Sequence, residues 1–341
     1  MSVDTLRDIF KNSPILKDKQ ALIPQVGHLA PPTYLSTGIL PLDYVLGGGF
    51  PRGHITLIEG PEGAGKSGLM VDPMLQAVAR PVINGHTLYL ALEPKVNTNL
   101  LYRMGITEEH LTILRSGRVD PADEESEIVP LTGDVAFDII REAIGHFDLI
   151  VVDSVAAMSP AIAHLAEAGA NQFALVARLL SNQLPLVTSM LAATKTSLVL
   201  VNQERASMSQ YGRDYKMFGG YALRYYSAIT FRMTKTGLIP AKEGGQGFSV
   251  KAVVEKNSFG AERLVAEWDI LFATGVDKVK AAFDTAARLG LVNTRNCKLT
   301  KADGEAVDLN HPGVRGMADA VERLREEPDL FNMLYSEVIS K

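Results

Sequence analysis

A segment that follows an apolar run has the residue types needed to hold a phosphate group. Residues 60–67 read Gly-Pro-Glu-Gly-Ala-Gly-Lys-Ser and come directly after the run Ile55–Ile58. This is the G-x-x-x-x-G-K-[ST] pattern, in which glycines let backbone N–H groups point at phosphate oxygens and the next helix adds its positive end. Lys66 would reach the β and γ phosphates, and Ser67 would offer a hydroxyl to Mg2+. A glycine-rich turn with an exposed lysine is the alternative. The residues assigned to a nucleoside triphosphate are Gly60, Pro61, Glu62, Gly63, Ala64, Gly65, Lys66, Ser67 and Gly68.

Three other apolar runs each end in a polar residue. The run 149–152 precedes Asp153, the run 87–92 precedes Glu93, and the run 198–201 precedes Asn202 and Gln203. Open parallel sheets bind ligands beyond the carboxyl ends of their strands, so these positions are informative. We expect Asp153 to orient Mg2+ and Glu93 to polarise the water that attacks the γ phosphate, while Gln203 senses that phosphate. The alternative is that these residues only cap strands. The predicted catalytic set is Glu93, Lys66 and Gln203, and the predicted metal ligands are Ser67 and Asp153.

The segment after Gln203 has the composition of a loop that binds single-stranded nucleic acid. Residues 204–220 interleave basic and aromatic side chains and end in two glycines. Arginine and lysine can follow phosphates, and aromatic rings can stack on bases without requiring a sequence. A loop whose aromatic residues fold back onto the core is the alternative. The residues assigned to DNA are Arg178, Arg205, Tyr211, Arg213, Tyr215, Lys216 and Phe218.

Apolar runs of strand length alternate with helical patterns through most of the chain. Strands are predicted at 55–58, 87–92, 149–152 and 198–201, and helices at 65–79, 135–146 and 171–193. Near-continuous apolar strands are typical of parallel sheets covered on both faces, so the order predicts a doubly wound α/β core. The segments 228–234 and 249–255 have strand character with no long helix between them. We expect them to extend the sheet in antiparallel fashion.

The chain is expected to have three parts. Residues 1–33 contain several prolines and cannot bury a core alone, so we interpret them as an arm that docks onto a neighbouring subunit. Residues 34–274 form the predicted core, and residues 275–341 are predicted to form a small, helix-rich C-terminal domain.

Composition limits the class of protein. The 341 residues are 46% hydrophobic, which is enough for a sizeable core, and the formal net charge of -5 gives no global basic field that would attract nucleic acid. Cys297 is the single cysteine, which excludes an internal disulfide framework and fits a reducing compartment. The sequence has neither an apolar leader nor 18 uninterrupted apolar residues. We therefore expect a cytoplasmic protein without a membrane partner.

Two sets of motifs resemble those of the RecA-type ATPases. The broader set is the phosphate loop with 35–38, 41–43 and 46–49, and the narrower set is 150–158, 202–203 and 222–228, which look like bacterial RecA and its phage UvsX-type relatives. The resemblance covers about residues 34–270 and implies a RecA-like P-loop ATPase core that uses ATP and Mg2+. It also implies that Glu93 is the catalytic glutamate, that Gln203 is the γ-phosphate sensor, and that the DNA-binding loops lie near 161–171 and 204–219.

The chain departs from the RecA pattern at several positions. The resemblance places ATP between neighbouring subunits, where two lysines of the adjacent subunit complete the site. Lys256 matches one of these lysines, Ser258 replaces the other, and Arg224 falls on the interface segment. Asn97 stands where the family has an aspartate that contacts adenine, and Leu100 where it has an aromatic residue that stacks on the base. A phage-type recombinase accommodates these differences best.

The sequence therefore predicts a DNA-dependent ATPase that assembles on single-stranded DNA, as a helical filament or a ring, and pairs this strand with a homologous duplex. A regulatory or mediator ATPase that does not exchange strands is one alternative. A hexameric helicase-like motor is another, although residues 222–228 argue against it.

Overall fold

The computed structural model describes residues 31–93, 101, 105–119, 125–158, 172–206, 215–217, 220–240 and 247–340; for 172–173, 205–206 and 215–217 it describes the backbone. The chain divides into two compact units, 1–33 and 34–341, and the fold below is that of the second.

A nine-stranded sheet forms the centre of this unit, with the strand order β15-β14-β13-β12-β3-β9-β8-β4-β5. Its strands are β3 (Ile55–Glu59), β4 (Thr87–Ala91), β5 (Leu111–Leu114), β8 (Leu149–Asp153), β9 (Ser197–Val201), β12 (Ile229–Ile239), β13 (Gly247–Asn257), β14 (Val265–Leu271) and β15 (Gly275–Val276). Every pair from β12 to β5 is parallel, and β13, β14 and β15 pair antiparallel. Four short strands lie before and between them: β1 (Tyr34–Leu35), β2 (Phe50–Pro51), β6 (Gly117–Arg118) and β7 (Ile128–Val129).

The helices cover both faces of the parallel strands. They are α1 (Leu40–Leu46), α2 (Lys66–Leu69), α3 (Val71–Ala79), α4 (Gly133–Ala143), α5 (Gln172–Ala192) and α6 (Tyr221–Tyr226). One apolar cluster joins strand residues such as Tyr89 and Val151 to α1 and α3, and a second joins Leu88 and Ile150 to α4 and α5. Neighbouring residues of one strand thus pack in different clusters, as the pleat of a strand requires. The predicted doubly wound α/β core is confirmed.

The segments expected at 228–234 and 249–255 extend the sheet and pair antiparallel with each other, as β12 and β13, while β12 also lies parallel to β3. The sequence between β9 and β12 includes α6 and supplies the crossover that a parallel pair needs. The helix expected at 65–79 is divided at Met70, and Pro73, which has no N–H to donate, falls in the first turn of the second piece.

The C-terminal segment contributes a third apolar cluster. Helices α7 (Lys278–Arg288), α8 (Met317–Glu326) and α9 (Pro328–Ile339) surround Phe283 and Leu334, and Leu40 of α1 also belongs to this cluster. A small antiparallel sheet of β16 (Val292–Asn293), β17 (Lys298–Thr300) and β18 (Ala306–Asp308) lies in the same segment. Its strands of two or three residues are too short to leave a periodic pattern in the sequence. Among the described residues, no helix is long and apolar enough to cross a membrane.

A buried ion pair organises the amino ends of the parallel strands. Arg52, just before β3, donates a hydrogen bond of 2.7 Å to Asp148, just before β8, and the two side chains are 3% and 0% exposed. Asp148 also accepts bonds of 2.8–3.0 Å from the four N–H groups of residues 82–85. Burial acts to raise the pKa of this carboxyl, but the backbone donors outweigh it and the pKa falls below its usual range. One carboxylate therefore fixes the connection between α3 and β4.

Replacing this carboxylate will destabilise the fold. We expect Asp148→Ala to lower the free energy of unfolding by about 3–5 kcal/mol, because it leaves Arg52 buried and unpaired and removes an acceptor from four N–H groups. Urea unfolding at pH 7 measures this. The control is Asp138→Ala, which removes an exposed pairing with Arg141 and is expected to cost about 1 kcal/mol or less. Equal losses in the two variants would contradict the role given to Asp148.

Candidate nucleotide-binding site

The predicted phosphate loop leaves the carboxyl end of β3 and enters α2. Gly60 and Gly63 have φ values of +150° and +75°, which only glycine adopts readily. At Gly60 a Cβ atom would lie 2.2 Å from the carbonyl oxygen of Met233, so β12 also requires a glycine here. At Gly63 a Cβ atom would meet nothing within 4 Å. The loop therefore packs on the sheet at its start and faces open space at its middle.

Lys66 folds back on the loop that carries it. Its Nζ donates to the carbonyl oxygens of Gly60 and Pro61, each at 2.7 Å, and the residue is 6% exposed. Burial lowers the pKa of this ammonium, while the carboxylates of Asp153 and Glu204 act to raise it. The two carbonyl oxygens hold the ammonium at the loop, and the nearby carboxylates offset its positive charge only in part. The residues fit a triphosphate, because the loop has room, the required backbone freedom and a cation at its base.

Asp153, which with Ser67 forms the predicted pair of metal ligands, accepts a buried hydrogen bond. The hydroxyl of Tyr89, on β4, donates to Oδ2 of Asp153 at 2.5 Å. Burial raises the pKa of Tyr89, and the carboxylate of Asp153 raises it further, so the phenol stays protonated and donates. A hydroxyl and a carboxylate are oxygen ligands of the kind Mg2+ prefers, so the pair fits this metal.

The predicted base and the predicted sensor are in direct contact. Gln203 donates from Nε2 to Oε1 of Glu93 at 2.5 Å, and the hydroxyl of Ser154 donates to the same oxygen. The Glu93 N–H also bonds to the carbonyl oxygen of Asp153 at 3.2 Å. The carboxyl ends of β4, β8 and β9 thus converge as the sequence predicted. Sequence reasoning gave no role to Ser154, although its place directly after Asp153 was a usable signal.

A chain of contacts connects the phosphate loop to the segment proposed for DNA. The carbonyl oxygen of Gly60 accepts the ammonium of Lys66 and, at 3.2 Å, the N–H of Glu204. Glu204 in turn holds Arg232 of β12 through two bonds of 2.5 and 2.8 Å. The first residue after Gln203 is therefore fixed to the loop by its backbone and to the sheet by its side chain. Neither Glu204 nor Arg232 stood out in the sequence.

Part of the predicted DNA set lies in described structure. Two short strands, β10 (Glu204–Ala206) and β11 (Tyr215–Met217), pair antiparallel, and Arg205 lies opposite Lys216 in this pair. Arg178 lies on an exposed position of α5. Tyr211, Arg213 and Phe218 lie outside the described residues, as do the nucleotide residue Asn97 and the expected first DNA loop near 161–171. The DNA assignments stay predictions.

The two cations expected to reach a neighbouring subunit have partners within their own chain. Lys256 donates from Nζ to the carbonyl oxygens of Arg224, Tyr225 and Ser227 at 2.6–3.0 Å, which caps the carboxyl end of α6. Arg224 pairs with the buried carboxylate of Glu59 at 2.6 Å and also contacts Glu255. In this structure, then, Lys256 holds backbone carbonyls. Its role toward a neighbour's nucleotide stays a prediction.

Removing the Lys256 ammonium will destabilise α6. We expect Lys256→Met to lower the free energy of unfolding by about 1–2 kcal/mol without nucleotide, because three carbonyls lose a charged donor and water replaces it only in part. Chemical unfolding measures this, and Lys251→Met on the same strand is the matched control. A control that loses as much stability would show that the capping contacts contribute nothing specific.

Comparisons with known proteins agree with this geometry. The model of the RecA N-terminal domain matches residues 30–277. Among curated relatives, Protein RecA of Thermus thermophilus is 31% identical over 90% of this chain and 85% of its own length. Protein RecA of Syntrophus aciditrophicus is 30% identical over 90% of this chain and 84% of its own length.

A solved structure supports the fold. The crystal structure of the RadB recombinase matches 71% of this chain and 98% of its own chain, with a TM-score of 0.50 and 23% identity. This likeness concerns the fold alone, whereas the family model covers most of the chain. The resemblance predicted from the motifs is confirmed: the chain belongs to the RecA family.

Proposed function

We propose that this protein is a DNA-dependent ATPase that forms filaments on single-stranded DNA and pairs that strand with a homologous duplex. The observation that carries the proposal is the 2.5 Å contact between Gln203 and Glu93. It joins the predicted base for hydrolysis to the residue that directly precedes the segment proposed for DNA. Membership of the RecA family supports a role in recombination and repair. The contact between Gln203 and Glu93 supports the proposal that ATP hydrolysis depends on DNA.

ATP would bind at the phosphate loop. Backbone N–H groups of residues 62–68 and the ammonium of Lys66 would hold the phosphates, and Ser67 and Asp153 would hold Mg2+. The metal would neutralise charge on the β and γ phosphates. Lys66 would exchange the carbonyl oxygens of Gly60 and Pro61 for phosphate oxygens, because an anion is the stronger partner for an ammonium.

Glu93 would act as the general base. It would accept a proton from the attacking water and so position the lone pair for in-line displacement at the γ phosphate. Gln203 and Ser154 donate to one oxygen of this carboxylate, which orients it and leaves the second oxygen available. A γ phosphate would compete with Glu93 for the amide of Gln203, so nucleotide state and the position of Gln203 would be coupled.

The coupling would continue into the DNA-binding segment. When Lys66 turns to a phosphate, the carbonyl oxygen of Gly60 keeps only the N–H of Glu204 as a partner among the contacts described above. Glu204 begins the hairpin that carries Arg205, Tyr215 and Lys216. We infer that this hairpin changes position with nucleotide and holds the DNA backbone without reading its sequence. The arm of residues 1–33 would dock on the adjacent subunit, and the 275–341 segment would form the C-terminal domain.

A mediator ATPase that does not exchange strands is the second candidate. Two observations favour it: Ser258 replaces a lysine of the family pattern, and Arg224 and Lys256 already have partners within their own chain. A strand-exchange assay with purified protein, circular single-stranded DNA and linear duplex discriminates between the two. Joint molecules support the recombinase, and their absence despite DNA-stimulated hydrolysis supports the mediator.

Removing the charge of Glu93 will separate binding from hydrolysis. We expect Glu93→Gln to keep its affinity for ATP within about threefold, because a neutral amide of the same shape does not repel phosphates. The rate of hydrolysis should fall by about 10²- to 10⁴-fold, the usual contribution of a general base. Phosphate release and nucleotide affinity measure the two effects, with Glu142→Gln on the exposed face of α4 as control. Normal turnover in Glu93→Gln would remove Glu93 from the mechanism.

Two basic residues of the DNA segment should control affinity for single strands. We expect Arg213→Ala with Lys216→Ala to weaken binding of single-stranded DNA and to reduce the slope of log K against log salt by about 1.4, or about 0.7 for each lost phosphate contact. Fluorescence anisotropy at several salt concentrations measures this. The matched control is Arg80→Ala with Lys195→Ala, two exposed cations at the opposite edge of the sheet. An unchanged slope in the Arg213 and Lys216 variant would exclude these contacts.

A further inference from the structure

A tyrosine inside an apolar strand donates a hydrogen bond to one of the predicted metal ligands. Tyr89 is the third residue of β4 and is 3% exposed. β4 pairs with β8 in parallel, with Tyr89 opposite Val151 and Ala91 opposite Asp153. This register places the phenol ring beneath the carboxyl ends of the two strands. Its hydroxyl reaches the edge of the sheet where Asp153 and the phosphate loop meet.

The hydroxyl of Tyr89 has a defined partner. It donates its single proton to Oδ2 of Asp153 at 2.5 Å. A carboxylate oxygen only accepts, so the direction of this hydrogen bond is fixed. No part of the proposed hydrolysis assigns a role to this hydroxyl.

This contact suits a carboxylate that binds a cation. A carboxylate that already accepts a hydrogen bond on one oxygen is held in one orientation, and its other oxygen stays available. Contacts of this kind behind a metal ligand orient it and tune its affinity.

A purely packing role does not require the hydroxyl. The ring of Tyr89 lies in an apolar cluster, where phenylalanine would fill nearly the same volume. A buried hydroxyl costs free energy unless it is bonded, so a polar atom at this depth must be offset by the hydrogen bond that it makes. That hydrogen bond goes to Asp153, a residue of the predicted metal site.

We propose that Tyr89 is a positioning residue that orients Asp153 for a divalent cation. The inference rests on the proposed function, because it takes Asp153 as a Mg2+ ligand. Tyr89 does not touch the nucleotide in this proposal. It acts through Asp153 by holding one oxygen of the carboxylate.

The test compares wild type, Tyr89→Phe and Tyr335→Phe by binding of a fluorescent ADP analogue over a Mg2+ titration and in EDTA. We expect Tyr89→Phe to raise the Mg2+ concentration for half-maximal binding by about 10- to 100-fold, as for other changes behind metal ligands, with the affinity in EDTA nearly unchanged. Tyr335→Phe, which removes the hydroxyl of a half-buried tyrosine on α9, should match wild type. The midpoint of thermal unfolding without nucleotide, measured for each variant, reports a structural effect separately.

A double-mutant cycle tests whether Tyr89 acts through Asp153. We expect Tyr89→Phe combined with Asp153→Asn to require the same Mg2+ concentration as Asp153→Asn alone, because the hydroxyl then has no charged ligand to orient. Fully additive effects, or a Tyr89→Phe variant with the Mg2+ dependence of wild type, would overturn the inference while leaving the proposed function standing. If the affinity of the wild-type protein for the ADP analogue were the same with Mg2+ and in EDTA, the metal assignment in the proposed function would be wrong, and the inference would fail with it.

Discussion

The parallel pairing of β3, β9, β8 and β4 is the constraint on which the candidate site depends. Parallel strands end at the same edge of a sheet, so residues far apart in the sequence meet there. Glu93, Asp153 and Gln203 come from three of these strands, and the phosphate loop leaves the fourth. Asp148 and Arg52 fix the opposite edge. If the register of β4 and β8 slipped by one residue, every side chain of the slipped strand would change face and the contact of Tyr89 with Asp153 would be lost.

Electrostatics at this edge favour a ligand that brings both negative and positive charge. The carboxylates of Asp153 and Glu93 lie close enough to Lys66 to influence its pKa, and burial lowers that pKa. A triphosphate alone would meet these carboxylates unfavourably, whereas a triphosphate with a divalent cation would satisfy Lys66 and the acids together. The acids that surround Lys66 are thus a physical reason to expect a metal as well as a nucleotide. Before any ligand arrives, the carbonyl oxygens of Gly60 and Pro61 hold the Lys66 ammonium.

The sequence predicted those parts of the site that local patterns encode. Glycine spacing identified the phosphate loop, and polar residues at the ends of apolar runs identified Asp153, Glu93 and Gln203. Tyr89 escaped notice because a tyrosine inside an apolar run is typical of a core position, and only the pairing of β4 with β8 brings its hydroxyl to Asp153. The partners of Lys256 escaped because they are backbone carbonyls of α6, which depend on tertiary structure. The sequence left open the parallel pairing of β12 with β3, because the crossover that decides it includes a helix of only six residues.

The central claim is that nucleotide turnover at this edge responds to DNA bound by the segment after Gln203. The most direct measurement is ATP hydrolysis with and without single-stranded DNA, with negative-stain imaging of the same samples in a slowly hydrolysed ATP analogue. The proposed function predicts faster turnover with DNA and helical filaments on it. Turnover that is independent of DNA, together with an absence of filaments, would contradict the claim.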